Sequence, residues 1–149
     1  MHILPSSHPS EGDERIYFAA PVSAFRYQLY DTRLAETRLI FPAAEIISAR
    51  DYFRSTKDWR RRWPALLRHL TGLVFIDDGY GCIGIGVRSE VREAQERGIP
   101  VWFLAAPDGL YRLDEITFER FSPLDPYRYA RVRVSRADKR KKRALLGHA

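Results

Sequence analysis

Short apolar runs without polar alternation recur along the chain, separated by longer stretches whose apolar positions fall at helical spacing. Ile16-Tyr17-Phe18-Ala19-Ala20 is the first run, and Pro21 closes it. Further runs stand at Glu45-Ile46-Ile47-Ser48, at residues 73–76 (Leu-Val-Phe-Ile) and at residues 100–104 (Pro-Val-Trp-Phe-Leu). Runs of this kind predict strands covered on both faces. Between them, residues 27–39 predict a helix that Pro42 stops. Residues 58–70 carry Trp59, Trp63, Leu66, Leu67 and Leu70 on one helical face, with Pro64 implying a kink or a fresh helix start. Residues 87–97 carry the stripe Val87, Val91 and Ala94, and Gly98 ends it. Residues 51–56 read as a loop, Pro107-Asp108-Gly109 as a turn, and residues 110–113 and 116–118 as one or two more short strands. Strands alternating with helices predict an α/β protein: a single-domain three-layer sandwich with a mainly parallel sheet of four to five strands. Ligands of such sheets bind at the carboxyl ends of the strands.

Charge divides the chain into three. Residues 1–14 are poor in apolar side chains and read as a flexible leader. Residues 15–126 form the α/β domain. Residues 127–149 hold nine Lys/Arg against one acid, a basic tail at +8, which leaves the first 126 residues at −2 of the total +6. Such a tail either contacts nucleic acid or serves as a solvated appendage. Cys82 is the only cysteine, so an internal disulfide and a multi-cysteine zinc site are excluded. That usage fits a cytoplasmic protein. No apolar run approaches 18 residues, so no membrane span is expected, and no cofactor or metal is called for.

The candidate chemistry gathers after the third run, in Asp77-Asp78-Gly79-Tyr80-Gly81-Cys82-Ile83-Gly84-Ile85-Gly86-Val87-Arg88-Ser89-Glu90. It is neither a dinucleotide fingerprint nor a P-loop, and its glycines alone fit a plain strand-to-helix connection. Glu90 lies about 60° around the helix from Val87 and about 40° from Ala94, so it borders the sheet-facing stripe. A carboxylate there is costly unless something needs it. The positive end of the helix dipole is expected to keep it ionised, and an ionised, partly desolvated carboxylate can attack an electrophilic carbon. Alternatively, Glu90 caps its own helix or pairs with Arg88 or Arg92 on the surface. Asp77 and Asp78 either supply a second carboxyl role around an anomeric carbon or make an Asp-Gly turn. Trp59 and Trp63 either pack the core or stack on a base.

The stretch 16–100 resembles the nucleoside deoxyribosyltransferase-like proteins. The matching elements are Ile16-Tyr17-Phe18-Ala19-Ala20-Pro21, the tryptophan helix, and Gly86-Val87-Arg88-Ser89-Glu90-Val91-Arg92-Glu93-Ala94 followed by Gly98-Ile99-Pro100-Val101. The resemblance implies a Rossmann- or flavodoxin-like fold and an N-glycosidic hydrolase or deoxyribosyltransferase acting on a nucleoside or nucleoside 5′-monophosphate. It implies Glu90 as the nucleophile at C1′. Thr71-Gly72 stands where the family often has its second acid, and the residues themselves, not the motif, offer Asp78 or Asp77 in that role. Tyr17, Ala20, Pro21, Gly84 and Gly86 would line the sugar site. Ser23 and Arg26, or Arg88 and Ser89, would meet a 5′-hydroxyl or 5′-phosphate. Related enzymes often complete their pockets across a subunit interface, so the resemblance allows a homo-oligomer, and a non-catalytic nucleotide-sensing domain is the alternative on the same scaffold.

Overall fold

The computed structural model describes residues 14–105, 109–120 and 130–134. Residues 1–13, the Pro107-Asp108 pair and the charge run at 139–143 lie outside the described residues, so the leader and most of the tail do too. The elements are β1 (Arg15–Ala19), α1 (Gln28–Ile40), β2 (Glu45–Ser48), α2 (Ala49–Tyr52), α3 (Thr56–Leu67), β3 (Gly72–Phe75), β4 (Cys82–Ile83), α4 (Ile85–Glu96), β5 (Val101–Ala105), β6 (Gly109–Arg112), β7 (Ile116–Arg120) and β8 (Ala130–Val134). The protein is α/β with a mostly parallel five-stranded sheet, ordered β2-β1-β3-β5-β6. Its first four members run parallel, and β6 returns antiparallel to β5.

The unbroken apolar runs bury both faces of this sheet because successive side chains point to opposite sides. Tyr17, Ala19, Leu73, Phe75, Val101 and Phe103 pack with Trp63, Leu66 and Leu67 of α3 and with Val87, Val91 and Ala94 of α4. Ile16, Phe18, Val74, Ile76 and Leu104 pack with Tyr30 and Leu34 of α1. The chain moves from β1 outward to β2, then crosses back to place β3 on the other side of β1. Sequence neighbours therefore diverge at the carboxyl ends of β1 and β3, the place where sheets of this kind open a crevice.

Four features depart from the sequence expectations. One turn of helix, α2, occupies part of the expected loop; four residues are too few to show periodicity. α3 begins at Thr56, where Ser55 accepts the Asp58 backbone N–H at 3.1 Å, and it runs on through Pro64. β4 is too short to announce itself. Most consequentially, Ala130–Val134 is a strand and not the start of a tail. It pairs antiparallel with β4 and β7 in a second sheet ordered β4-β8-β7. Ala130 and Val132 join the same core as Tyr17, and the Phe118 ring lies 6.0 Å from that of Phe75. The folded part thus extends past residue 126. Among the described residues, no helix is long and apolar enough to cross a membrane.

Candidate functional site

Tyr17 and Glu90 meet beneath the carboxyl ends of the strands. Tyr17 is the central residue of β1 and points to the α3–α4 face, where it is fully buried. Glu90 is the sixth residue of α4 and is 5% exposed. The Tyr17 hydroxyl donates to Glu90 Oε2 at 2.5 Å, and the Trp59 indole Nε1–H of α3 donates to the same oxygen at 2.8 Å. No described residue donates to Oε1. Aromatic rings enclose the pair. Trp63 lies 4.9 Å from the Tyr17 ring and Phe53 lies 6.2 Å from it, edge-on. Two donors on one carboxylate oxygen restrain the carboxylate and leave the other oxygen without a described donor.

The electrostatics of Glu90 differ from the sequence expectation. The dipole effect fades within the first helical turn, and Glu90 stands beyond it. Burial dominates instead and pushes the carboxyl up to about 7, against the hydrogen bonds from Tyr17 and Trp59, with the Glu93 charge adding to the rise. The carboxyl therefore titrates near neutrality and is not locked in its ionised form. Burial, followed by the Glu90 charge, holds the Tyr17 hydroxyl well above its usual value, so it donates its proton without surrendering it.

The acids at the end of β3 hold their own loop. Asp77 Oδ1 accepts the Gly79 N–H at 2.9 Å. Asp78 Oδ1 accepts the N–H groups of Tyr80 at 2.8 Å and Cys82 at 3.1 Å. These are Asx turns, and they suit Gly79 and Gly81, whose φ values of +95° and +87° belong to the left-handed region. Burial raises the Asp77 carboxyl, yet no hydrogen bond among the described residues joins Asp77 or Asp78 to Glu90. The Val132 N–H then donates to Gly81 O at 2.8 Å, which pins the loop to β8. Because Asn keeps the accepting Oδ1, Asp78→Asn should leave the thermal midpoint unchanged and any base release within about twofold of wild type. A loss of activity beyond that, with the fold intact, would return Asp78 to the chemistry.

The remaining sequence candidates scatter. Ala20 and Pro21 are buried, and Pro21 starts a 3-10 turn over Val22–Ala24. Ser23 and Arg26 are exposed next to it, and neither forms a hydrogen bond or ion pair with a described side chain. Gly84 caps α4 and Gly86 sits in its first turn, with open space where a Cβ would be. The Arg88 guanidinium lies 4.3 Å above the Phe118 ring. The Ser89 hydroxyl donates to Glu93 at 3.0 Å. Each side chain of that rival phosphate pair thus has one described neighbour, Phe118 for Arg88 and Glu93 for Ser89. Cys82 is buried, and burial raises its thiol, which does not suit a nucleophile. Trp59 was visible in sequence only as a core or stacking residue; its need for an indole acceptor when buried was the available signal. No cluster of three or more His, Cys, Asp or Glu side chains that could hold a metal is found among the described residues. A separate surface hollow of about 390 Å³, lined by Gln95, Gly98, Ile99, Pro100, Val101, Leu113 and Asp114, lies by the amino end of β5 and not at the Glu90 site. No protein-family model, curated protein or solved structure matches the chain.

Proposed function

We propose that the chain cleaves the N-glycosidic bond of a nucleoside or nucleoside 5′-monophosphate, by hydrolysis or deoxyribosyl transfer, with Glu90 as the nucleophile. One observation carries this reading: a buried carboxylate in an aromatic enclosure, with both of its hydrogen bonds on Oε2. In the proposed reaction Oε1 attacks C1′ of the sugar. The C1′–N bond breaks, its electron pair leaves with the base, and the base takes a proton from solvent. Water, or a second base, then attacks C1′ of the glycosyl ester, the C1′–Oε1 bond breaks, the attacking group's proton passes to solvent, and the Glu90 carboxylate is restored. Tyr17 and Trp59 position the nucleophile. The half-buried Phe53 and Trp59 rings offer faces for a sugar or base. The strand order and the helices on each face fit a single-domain, three-layer, flavodoxin-like arrangement, and the lone buried cysteine suits the cytoplasm.

A second reading, a nucleotide-sensing domain, is favoured by one specific observation. The charged neighbour of Glu90 is another glutamate, Glu93, while Asp77 and Asp78 are engaged in their loop. The deciding experiment is incubation with a panel of nucleosides and their 5′-monophosphates, following free base by chromatography. Base should appear from at least one member, at a rate that rises from about pH 6 to a plateau above about pH 8 as Glu90 ionises through about 7. Binding of a panel member without any base release establishes the sensor instead.

A further inference from the structure

The exposed side of α3 carries a row of cations that the Glu90 chemistry does not use. Residues 54–68 hold Arg54, Lys57, Arg60, Arg61, Arg62 and Arg68 against one acid, Asp58, a local charge of +5. The rest of residues 1–126 stands at −7, from ten Lys/Arg and seventeen Asp/Glu. The net positive charge of residues 1–126 is therefore confined to α3 and its two flanks. At 100° per residue, Lys57, Arg60, Arg61 and Arg68 fall within an arc of about 100°, opposite the buried Trp59–Trp63–Leu66 side. All four are exposed. Arg61 and Arg62 share Asp58, at 2.9 and 3.0 Å. Lys57, Arg60 and Arg68 have no ion-pair partner among the described residues.

This arrangement is unfavourable within the helix itself. Lys57 and Arg60 sit in its first two turns, at the positive end of the dipole, and Lys57 faces both Arg60 and Arg61 at spacings of three and four. An external anion would relieve both penalties. The row from Lys57 to Arg68 spans about 16 Å, enough to face several successive phosphates rather than one. No large apolar side chain is exposed on α3, so the face lacks what a membrane-surface helix inserts. The half-buried rings of Tyr52 and Phe53 lie beyond the Arg61 edge of this arc, where the Arg62 guanidinium stands 4.3 Å above Tyr52. Cations along a backbone with aromatic faces beside them are the combination that holds single strands.

We infer that the outer face of α3 binds the sugar-phosphate backbone of a single-stranded nucleic acid through Lys57, Arg60 and Arg68. This binding is separate from the basic tail and does not depend on the reaction assigned to Glu90. The test is fluorescence anisotropy of a labelled dT20 strand with the full chain, titrated with salt, for wild type and for the triple variant Lys57→Gln, Arg60→Gln, Arg68→Gln. The variant should bind at least about tenfold more weakly at moderate salt, and its slope of log K against log salt should be shallower by about 2, close to 0.7 per lost contact. Lys57→Gln alone should flatten the slope by about 0.7. These exposed substitutions should leave the thermal midpoint unchanged or slightly higher. An unchanged slope overturns the inference, as does a wild-type chain that does not bind dT20. Lost binding to phosphatidylserine vesicles with dT20 binding intact also overturns it.

Discussion

Replacing Glu90 with glutamine should abolish base release while making the protein more stable at alkaline pH. Glutamine keeps an oxygen to accept from Tyr17 and Trp59 but cannot form the glycosyl ester, so the rate should fall by more than about 10⁴-fold. The stability effect follows from linkage. The Glu90 carboxyl is raised from its ordinary 4.5 to about 7 in the folded chain. Below about pH 4.5 it is protonated in both folded and unfolded states and contributes nothing. Between about 4.5 and 7 the folded state holds a proton that the unfolded state has released, so stability falls as pH rises. Above about 7 the buried charge costs about 3 kcal/mol in full. Glu90→Gln should therefore match wild type near pH 4.5 and exceed it by up to about 3 kcal/mol at pH 8 in urea unfolding. A variant that retains base release removes Glu90 from the nucleophile role. A stability difference that does not change with pH would show that Glu90 does not titrate near neutrality.

How much of this was legible in the sequence depended on the reach of each signal. β1, β2, β3 and β5 announce themselves because strands buried on both faces leave unbroken apolar runs, and their boundaries shifted by no more than one residue. Glu90 was legible from its place at the edge of an apolar stripe. Its partners were not, because they arrive from elements 73 and 31 residues away, and spacing within one element cannot report such meetings. The Asp78-Gly79 pair carried two readings in sequence. The turn forms because three loop N–H groups lie within reach of the two carboxylates and left-handed glycines let the chain fold around them. The dipole expectation for Glu90 failed on depth. Position along a helix can be read from sequence, whereas the desolvation that decided the titration depends on α3 and β1 closing over it.

The strand hidden in the basic segment leads to the second large effect. Arg131-Val132-Arg133-Val134 alternates as a half-buried strand should, yet its charge reads as tail. In the fold, Arg133 reaches Glu119 across the sheet at 2.9 Å, while Ala130 and Val132 turn inward. A chain ending at residue 134 keeps β8 and should retain the stability of the full chain within about 0.5 kcal/mol, with its base release unchanged. A chain ending at residue 129 loses the partner of both β4 and β7. Ile83, 1% exposed, and Ile116, 8% exposed, would be opened to water, and Gly81 O would lose the Val132 N–H. Lost burial and lost ladder bonds together should cost about 2–5 kcal/mol. Hydrogen exchange offers a residue-level readout: the Cys82 and Arg88 amides, which donate to Asp78 Oδ1 and Gly84 O, should lose protection first, because β4 and the start of α4 follow the loop that β8 pins. Equal stability of the two truncations would mean that β8 contributes nothing to the fold. Destabilisation with unchanged protection at Cys82 would mean that β8 supports β7 alone and leaves the loop before α4 to its own Asx turns.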